Sequence, residues 1–145
     1  MSEFIFLSVD SPPEHFISSL QAALSDYNDS KGGRSTIHRL GFCANDKDGY
    51  TQGAIYGWLE WGWLFINLLW VEENSRGKGL GTQLLQRIEN RAIELGVNRA
   101  YLETGCFQAP DFYKNQGYQV ISTMPITADN RQPFIKYTMC KEFNI

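Results

Sequence analysis

The stretch Val71-Glu72-Glu73-Asn74-Ser75-Arg76-Gly77-Lys78-Gly79-Leu80-Gly81-Thr82 connects two segments of different hydrophobic periodicity. Before it, Trp63 to Val71 is an almost unbroken apolar run, which indicates a strand buried on both faces. After it, apolar residues recur at helical spacing as far as Leu95, and Gly96 stands where a helix preferably ends. A glycine-rich turn therefore joins a central strand to a long amphipathic helix.

The composition of this turn suits an anionic ligand. Gly77, Gly79 and Gly81 alternate along it, and glycine allows a ligand to approach the backbone closely. The following helix N-terminus offers unpaired N–H groups and the positive end of a dipole, to which Arg76 and Lys78 add charge. We therefore predict a phosphate- or pyrophosphate-binding loop, with an exposed basic turn as the alternative. The spacing fits neither a P-loop nor the G-x-G-x-x-G dinucleotide fingerprint.

Upstream of the turn, the pattern predicts an antiparallel meander preceded by one helix. Turn residues fill Asn45 to Gly49, between two apolar runs, as expected for a hairpin. The predicted elements are a strand at Phe4 to Val9, a helix with Ser11 as N-cap, a polar loop at Asn28 to Ser35, and strands at Thr36 to Ala44 and Tyr50 to Glu60, with Gly53 and Gly57 as weak points or bulges.

Downstream of the turn, the helix and its two flanking strands form a βαβ unit, so the strands should be parallel neighbours. The later elements are a strand at Ala100 to Thr104, a short helix at Ala109 to Gln116, and strands at Tyr118 to Ile126 and Pro133 to Cys140. The chain is thus predicted to be one α+β domain, residues 1–145, with a mixed, mainly antiparallel sheet of six to seven strands flanked by helices.

Composition narrows the class of protein. The net charge of −3 over 145 residues argues against a nucleic-acid partner. The longest apolar stretch, Trp61 to Val71, is too short to cross a membrane, and the N-terminus lacks the basic region of a signal peptide. Three cysteines and two distant histidines fit neither a disulfide framework nor a metal site. We expect a soluble cytoplasmic protein that binds no metal, nucleic acid or membrane.

Two segments resemble the GNAT superfamily of N-acetyltransferases. Arg76-Gly77-Lys78-Gly79-Leu80-Gly81 is similar to the R/Q-x-x-G-x-G/A signature of that family, and Ala109 to Tyr118 is similar to its A-x-x-F-Y-x-x-x-G-F/Y segment. The order of elements from Phe4 to Cys140 also agrees with the GNAT fold. The resemblance implies acetyl-CoA as co-substrate and a primary amine as acetyl acceptor.

The resemblance also implies which residues hold the cofactor. Loop amides would bind the pyrophosphate, while the backbone of Leu69 to Val71 would pair with the pantetheine arm and supply the oxyanion donor. Many relatives have an asparagine where this chain has Cys106, so Gln108 is the hypothesised replacement for that contact. The cofactor residues implied are Leu69, Trp70, Val71, Arg76, Gly77, Lys78, Gly79, Leu80, Gly81, Thr82, Gln108 and Tyr113.

Acetyl transfer needs a neutral amine, a stabilised oxyanion and a proton for the leaving thiolate. The resemblance places Tyr113 beside the sulfur as general acid; a packed aromatic is the alternative. Leu102-Glu103 resembles a pair in which some relatives use the glutamate as a water-relayed base. Glu60 is the rival base, because its aromatic neighbours would give it the apolar surroundings that suit a carboxylate base. Either glutamate is alternatively an exposed charge at a strand end.

The acceptor side is predicted from the aromatic residues. Trp58, Trp61, Trp63 and Trp70 all fall on the meander, where they form a core, a dimer interface or an amine pocket. In the last case Glu60, Trp58 and Trp63 would bind a small cationic amine. A non-catalytic acyl-CoA sensor and a nucleotide-binding module are the competing functions. A homodimer is expected from the family and the aromatic surplus.

Overall fold

The computed structural model describes residues 3–33, 36–127 and 132–144. Two compact units make up the chain, Met1–Ser35 and Thr36–Ile145. The sequence predicts a single domain over residues 1–145, and this stays a prediction.

The first unit contains one helix, α1, spanning Glu14–Gly32 with Pro13 as its N-cap. It starts later than expected, and Ser11, predicted to cap it, instead has a positive φ of 48°. The helix also continues through Asn28 to Gly32, which were predicted as part of a loop, and ends at Gly33, whose φ is 83°.

The strand predicted at Phe4 to Val9 is absent, so that prediction is wrong. A strand needs a partner for its backbone N–H and C=O groups, and the described part of the first unit contains no second extended segment to pair with. The apolar composition of Phe4 to Val9 suits a strand, but composition cannot show whether a second strand is available for pairing.

The second unit is a six-stranded sheet with helices, which confirms the predicted α+β class. The strand order is β1-β2-β3-β4-β6-β5, and each neighbouring pair is antiparallel except the parallel pair β3–β4. The strands are β1 His38–Asn45, β2 Thr51–Glu60, β3 Trp63–Val71, β4 Arg99–Gly105, β5 Gln119–Ile126 and β6 Phe134–Glu142, and the helices are α2 Leu80–Glu94 and α3 Pro110–Asn115.

The hydrophobic core lies between α2 and the sheet. The helix buries one face while its other face stays in solvent, as the 3.6-residue spacing predicts. Its buried apolar residues are Leu84, Leu85, Ile88 and Ala92, which share a cluster with Ile55, Leu64, Ile66, Leu102 and Met139 of the strands. Each fully buried leucine of this kind contributes roughly 1.5–3 kcal/mol of transfer free energy. This packing fixes the start of α2 against the end of β3.

The central strands β3 and β4 pair over only part of their length. Their register covers Leu64–Ile66 on β3, and the ladder then stops. On the other side of β3, Tyr56 pairs with Leu68 and Gly57 with Ile66, so Asn67 is an unpaired bulge residue. The two strands separate after this bulge.

This separation corrects the prediction that β3 is buried on both faces. Leu64 and Ile66 are buried, whereas Leu68 and Trp70 are exposed. Leu69 and Val71 still pack against the edge of the core, whereas Trp70 is exposed, and all three line an open space beyond the β3–β4 ladder.

Candidate active site

A cavity of about 800 Å³ opens at the end of β3. Its walls are the last residues of β3, the turn into α2, and the segment that leads from β4 into α3. Residues from separate parts of the sequence, predicted to bind one cofactor, therefore share one space. The lining comprises Leu69, Trp70, Val71, Ser75, Arg76, Gly77, Gly79, Leu80, Gly81, Thr82, Phe107, Gln108, Ala109, Phe112 and Tyr113. Lys78, predicted with them, does not line the cavity.

The glycine-rich turn reaches the first turn of α2 through left-handed backbone. Gly77 has φ 75°, and Gly79, the N-cap of α2, has φ 80°. A side chain at either position would be strained, and no side chain caps the helix. The first N–H groups of α2 are therefore available to an anion at the cavity. Gly81 faces the Phe112 ring, whose nearest atom lies 3.5 Å from the position of an added Cβ.

Side chains brace this turn against β3 and the β1–β2 hairpin. Arg76 donates through Nε to the Val71 carbonyl at 2.9 Å. The Ser75 hydroxyl donates to Gln52 Oε1 at 2.7 Å, and the Gln52 carbonyl accepts the Glu72 N–H at 2.7 Å. Sequence reasoning missed Ser75 and Gln52, since no local motif links residues that lie 23 positions apart.

Gln108 holds the loop after β4 and lines the cavity. Its Oε1 accepts the Gly105 N–H at 2.6 Å and the Thr104 hydroxyl at 3.4 Å. The amide oxygen is thus engaged with the chain, and the amide NH₂ is the group left to meet a ligand. Cys106 is exposed and does not line the cavity.

Tyr113 lies on α3 with only 9% of its surface exposed. Its ring contacts the Phe112 ring at 5.1 Å and the Tyr118 ring at 5.8 Å, both edge-to-face. Its hydroxyl makes no hydrogen bond to any described residue. Burial raises the pKa of the phenol above its usual value, because the tyrosinate anion would lose solvation. The group stays protonated and able to donate at neutral pH.

Glu103 and Glu60 do not line the cavity. Along β4, Glu103 and Tyr101 alternate with the buried Ala100 and Leu102, so they lie on the face of the sheet opposite the α2 core. Glu103 is exposed and pairs with Lys136 at 3.3 Å. The pKa of the Tyr101 hydroxyl is raised by burial and by the Glu60 and Glu103 carboxylates, which indicates that both carboxylates lie near it.

Trp58 and Trp63 belong to the same opposite face. Phe65 and Tyr101 complete a row of half-buried rings, with centroids 4.8 Å apart for Trp58–Phe65 and for Phe65–Tyr101. The Arg99 guanidinium lies 4.7 Å from the Trp63 ring centroid. The other two tryptophans lie elsewhere: Trp61 is in the β2–β3 turn, and Trp70 lines the cavity. The four tryptophans therefore do not form one cluster.

Membrane-spanning helices and clusters of metal ligands are two further features that bear on the class of protein in the described ranges. None of the helices there has the length and apolarity needed to cross a membrane. Within the same residues, no group of three or more His, Cys, Asp or Glu side chains is placed to hold a metal ion.

Comparison with known proteins agrees with this geometry. The family described as "Acetyltransferase (GNAT) family" matches residues 6–118. An acetyltransferase of Agrobacterium fabrum is 31% identical over 98 residues, 68% of this chain and 72% of that protein. Blasticidin-S acetyltransferase of Streptomyces morookaense is 42% identical over 78 residues, 53% of this chain and 57% of that relative.

Solved structures agree as well. An acetyltransferase of Agrobacterium tumefaciens superposes with a TM-score of 0.86 at 25% identity, covering 97% of this chain and all of that one. An aminoglycoside 6′-N-acetyltransferase complexed with coenzyme A shares the fold, with a TM-score of 0.60, 20% identity and 72% coverage of each chain. The chain belongs to the GNAT family of acetyltransferases, enzymes whose co-substrate is acetyl-CoA.

Proposed function

We propose that this chain transfers the acetyl group of acetyl-CoA to a primary amine of a small molecule, by direct attack in a ternary complex with Tyr113 as general acid. The observation that carries the proposal is the single cavity shared by the glycine-rich turn and Tyr113. One end of that cavity suits a pyrophosphate and the other offers a protonated phenol. Acetyl transfer from an acyl-CoA requires both a pyrophosphate-binding site and an acid, whereas binding of a nucleotide does not require the phenol.

The cofactor would lie along the cavity from the start of α2 toward α3. Amides of the turn and of α2 would bind the pyrophosphate, with Arg76 adding charge. The edge of β3 that β4 leaves after Ile66 would pair with the pantetheine amides in the manner of an added strand. The Gln108 NH₂ group would donate to a pantetheine carbonyl. The backbone N–H groups of Leu69 to Val71, on the stretch that follows the Asn67 bulge, are proposed to supply the oxyanion donor, because this part of β3 has no β4 partner.

Tyr113 would protonate the thiolate as coenzyme A leaves. A general acid must hold its proton at the working pH, and burial keeps the Tyr113 phenol protonated. The reaction breaks the thioester C–S bond, forms the amide C–N bond, and moves one proton from the amine toward the base and one from Tyr113 to sulfur. Solvent then restores both groups.

Glu103 is proposed as the base, with Glu60 as its rival. Both carboxylates lie on the face of the sheet opposite the α2 core, and β3 and β4 separate beyond the Ile66–Leu102 pair, which leaves a gap next to Glu103. An amine approaching from the aromatic face would meet the thioester through this gap, with water relaying its proton to Glu103. Trp58, Trp63 and Glu60 would then contact a cationic acceptor.

The acceptor is proposed to be a small molecule because the relatives it resembles include an enzyme named for blasticidin S. The assignment of the base is tested by steady-state kinetics with the amine. Glu103→Gln should lower kcat, and Glu60→Gln should raise the KM for the amine while leaving kcat unchanged. The opposite result would exchange the two roles.

The experiment that tests the function follows thiol release from acetyl-CoA. Blasticidin S, polyamines, aminoglycosides, amino acids and short peptides serve as acceptors, with Tyr113→Phe as the control enzyme. Release that requires one class of amine would establish the transferase and its substrate class. Tight acetyl-CoA binding without release on any acceptor would favour the second candidate, a non-catalytic acyl-CoA sensor, which the same cavity also suits.

We also propose that the protein is cytoplasmic and forms a homodimer. Cys43, Cys106 and Cys140 are free thiols, as a reducing compartment such as the cytoplasm maintains. The aromatic row on the sheet and the family resemblance are the grounds for proposing a homodimer. Sedimentation of the purified chain at micromolar concentration would test the assembly.

A further inference from the structure

Beside Tyr113 lies a partly buried ionic cluster that the proposed reaction does not use. Glu89 of α2 is 5% exposed and accepts a hydrogen bond from the Tyr118 hydroxyl at 3.1 Å. Lys141 of β6 donates to both Glu89 oxygens, at 3.0 and 3.1 Å. The Lys141 ammonium also lies 5.5 Å from the centre of the Tyr118 ring. We call these three residues the Glu89 triad.

The triad connects the two elements that are proposed above to hold opposite ends of the cofactor. Glu89 is on α2, whose N-terminus faces the cavity. Tyr118 follows α3 directly, its N–H donates to the Tyr113 carbonyl at 2.9 Å, and its ring packs on the Tyr113 ring. A shift of Tyr118 relative to α2 would therefore move Tyr113 relative to the bound thioester.

A buried charge of this kind is costly unless it is fully paired. Replacing a buried ion pair by apolar residues is often neutral or stabilising, so stability alone gives little reason for placing a carboxylate here. A charged hydrogen bond is directional, and it fixes the Tyr118 hydroxyl more tightly than apolar packing would.

We propose that the Glu89 triad is a positioning device, which holds the Tyr113 phenol at a fixed distance from the cofactor-binding end of α2. Because Tyr113 acts on the leaving thiolate only under the function proposed above, the role of the triad rests on that function. None of the three triad residues lines the cavity.

Tyr118→Phe is the test, because it removes one hydroxyl and keeps the ring that packs on Tyr113. We expect kcat to fall roughly tenfold, since small misplacements of a reacting group are costly. The KM for acetyl-CoA should stay within about twofold, because no residue of the triad lines the cavity. Tyr137→Phe is the matched control: it removes a hydroxyl from a tyrosine packed against the same core, outside the triad, and should leave kcat unchanged.

Coupling to Tyr113 separates positioning from general stability. On a Tyr113→Phe background, Tyr118→Phe should lower kcat no further, because the group it positions is already gone. Equal losses on both backgrounds, or a parallel loss of acetyl-CoA affinity, would overturn the proposal in favour of a purely structural triad.

Glu89→Gln is a second variant, which keeps an acceptor for the Tyr118 hydroxyl. Its kcat should fall less than that of Tyr118→Phe. A larger fall in kcat at an unchanged melting temperature would count against the positioning role.

Failure of the function itself gives a different pattern. If Tyr113→Phe is slow and Tyr118→Phe is not, the acid assignment stands and the positioning role alone fails. If Tyr113→Phe turns over like the unmodified enzyme, or the unmodified enzyme releases no thiol with any amine, the proposed role of Tyr113 fails and the positioning role fails with it.

Discussion

At the scale of single residues, Tyr113 and Gln108 carry most of the proposed chemistry. Both were assigned from the sequence through family resemblance, and the structure places both at the cavity. The hydrogen bonds of the Gln108 side chain were beyond sequence reasoning. Gln108 bonds to Gly105 through a turn geometry that no pattern of residue types specifies.

Tyr113→Phe tests the acid. It keeps the ring contacts with Phe112 and Tyr118, so the fold should be preserved. Loss of a general acid costs about 10²-fold or more, and we expect kcat to fall by roughly that factor with little change in the KM for acetyl-CoA. Steady-state kinetics measure both. Unchanged kcat would remove Tyr113 from the mechanism.

Gln108→Glu tests the proposed pantetheine contact. The variant keeps an oxygen to accept from Gly105 but replaces the donor NH₂ with an anionic oxygen. We expect the KM for acetyl-CoA to rise about tenfold, since losing one hydrogen bond and leaving a carbonyl unpaired costs roughly 1–3 kcal/mol. Gln119→Glu is the matched control, because it makes the same change at an exposed residue that does not line the cavity. Equal KM values for the two variants would contradict the contact.

At the scale of elements, periodicity predicted most of the second unit. The spacing of α2 and the parallel pair β3–β4 followed from local pattern and from the handedness of a βαβ unit. The position of the bulge at Asn67 did not follow from the local pattern. Apolar composition around Asn67 resembles an unbroken buried strand, whereas the actual strand loses a neighbour there. Pairing is set by distant residues, so a local pattern cannot reveal where it ends.

The prediction at the scale of elements concerns Gly57, which pairs with Ile66 next to the Asn67 bulge. A Cβ added to Gly57 would collide with the Phe65 carbonyl, a backbone group that cannot turn aside. Gly57→Ala should therefore lower the free energy of unfolding by about 3 kcal/mol, at the high end for overpacking, and weaken acetyl-CoA binding. Gly41→Ala is the matched control, since its added Cβ meets only the Ile55 carbonyl at 3.4 Å. Urea unfolding measures the stability of the two variants, and titration with acetyl-CoA measures their affinity. Equal stability of the two variants would contradict the expected collision at Gly57.

At the scale of the whole molecule, the site depends on contacts between distant parts of the chain. The Ser75–Gln52 bond spans 23 positions, Tyr118–Glu89 spans 29, and Lys141–Glu89 spans 52. Sequence reasoning found most of the residues that line the cavity because a family motif marks them. It missed the residues behind them because their partners become neighbours only when the sheet is complete.

The same buried hydroxyls predict how the whole fold responds to alkaline pH. In the unfolded chain a tyrosine releases its proton near pH 10, whereas burial raises the pKa of Tyr113, and burial together with the Glu89 charge raises that of Tyr118. Above about pH 10 the unfolded state therefore binds fewer protons than the folded state, and stability falls with rising pH. Each group contributes at most about 1.4 kcal/mol per pH unit, and neither contributes below about pH 9.

Unfolding by urea between pH 8 and pH 11 measures this loss. Tyr118→Phe should start from a lower stability at pH 8, because Glu89 loses a hydrogen bond, yet its stability should decline less steeply above pH 10. The two curves therefore converge as pH rises. Parallel curves would mean that Tyr118 titrates alike in both states, so that its hydroxyl is neither buried nor held by Glu89 in solution.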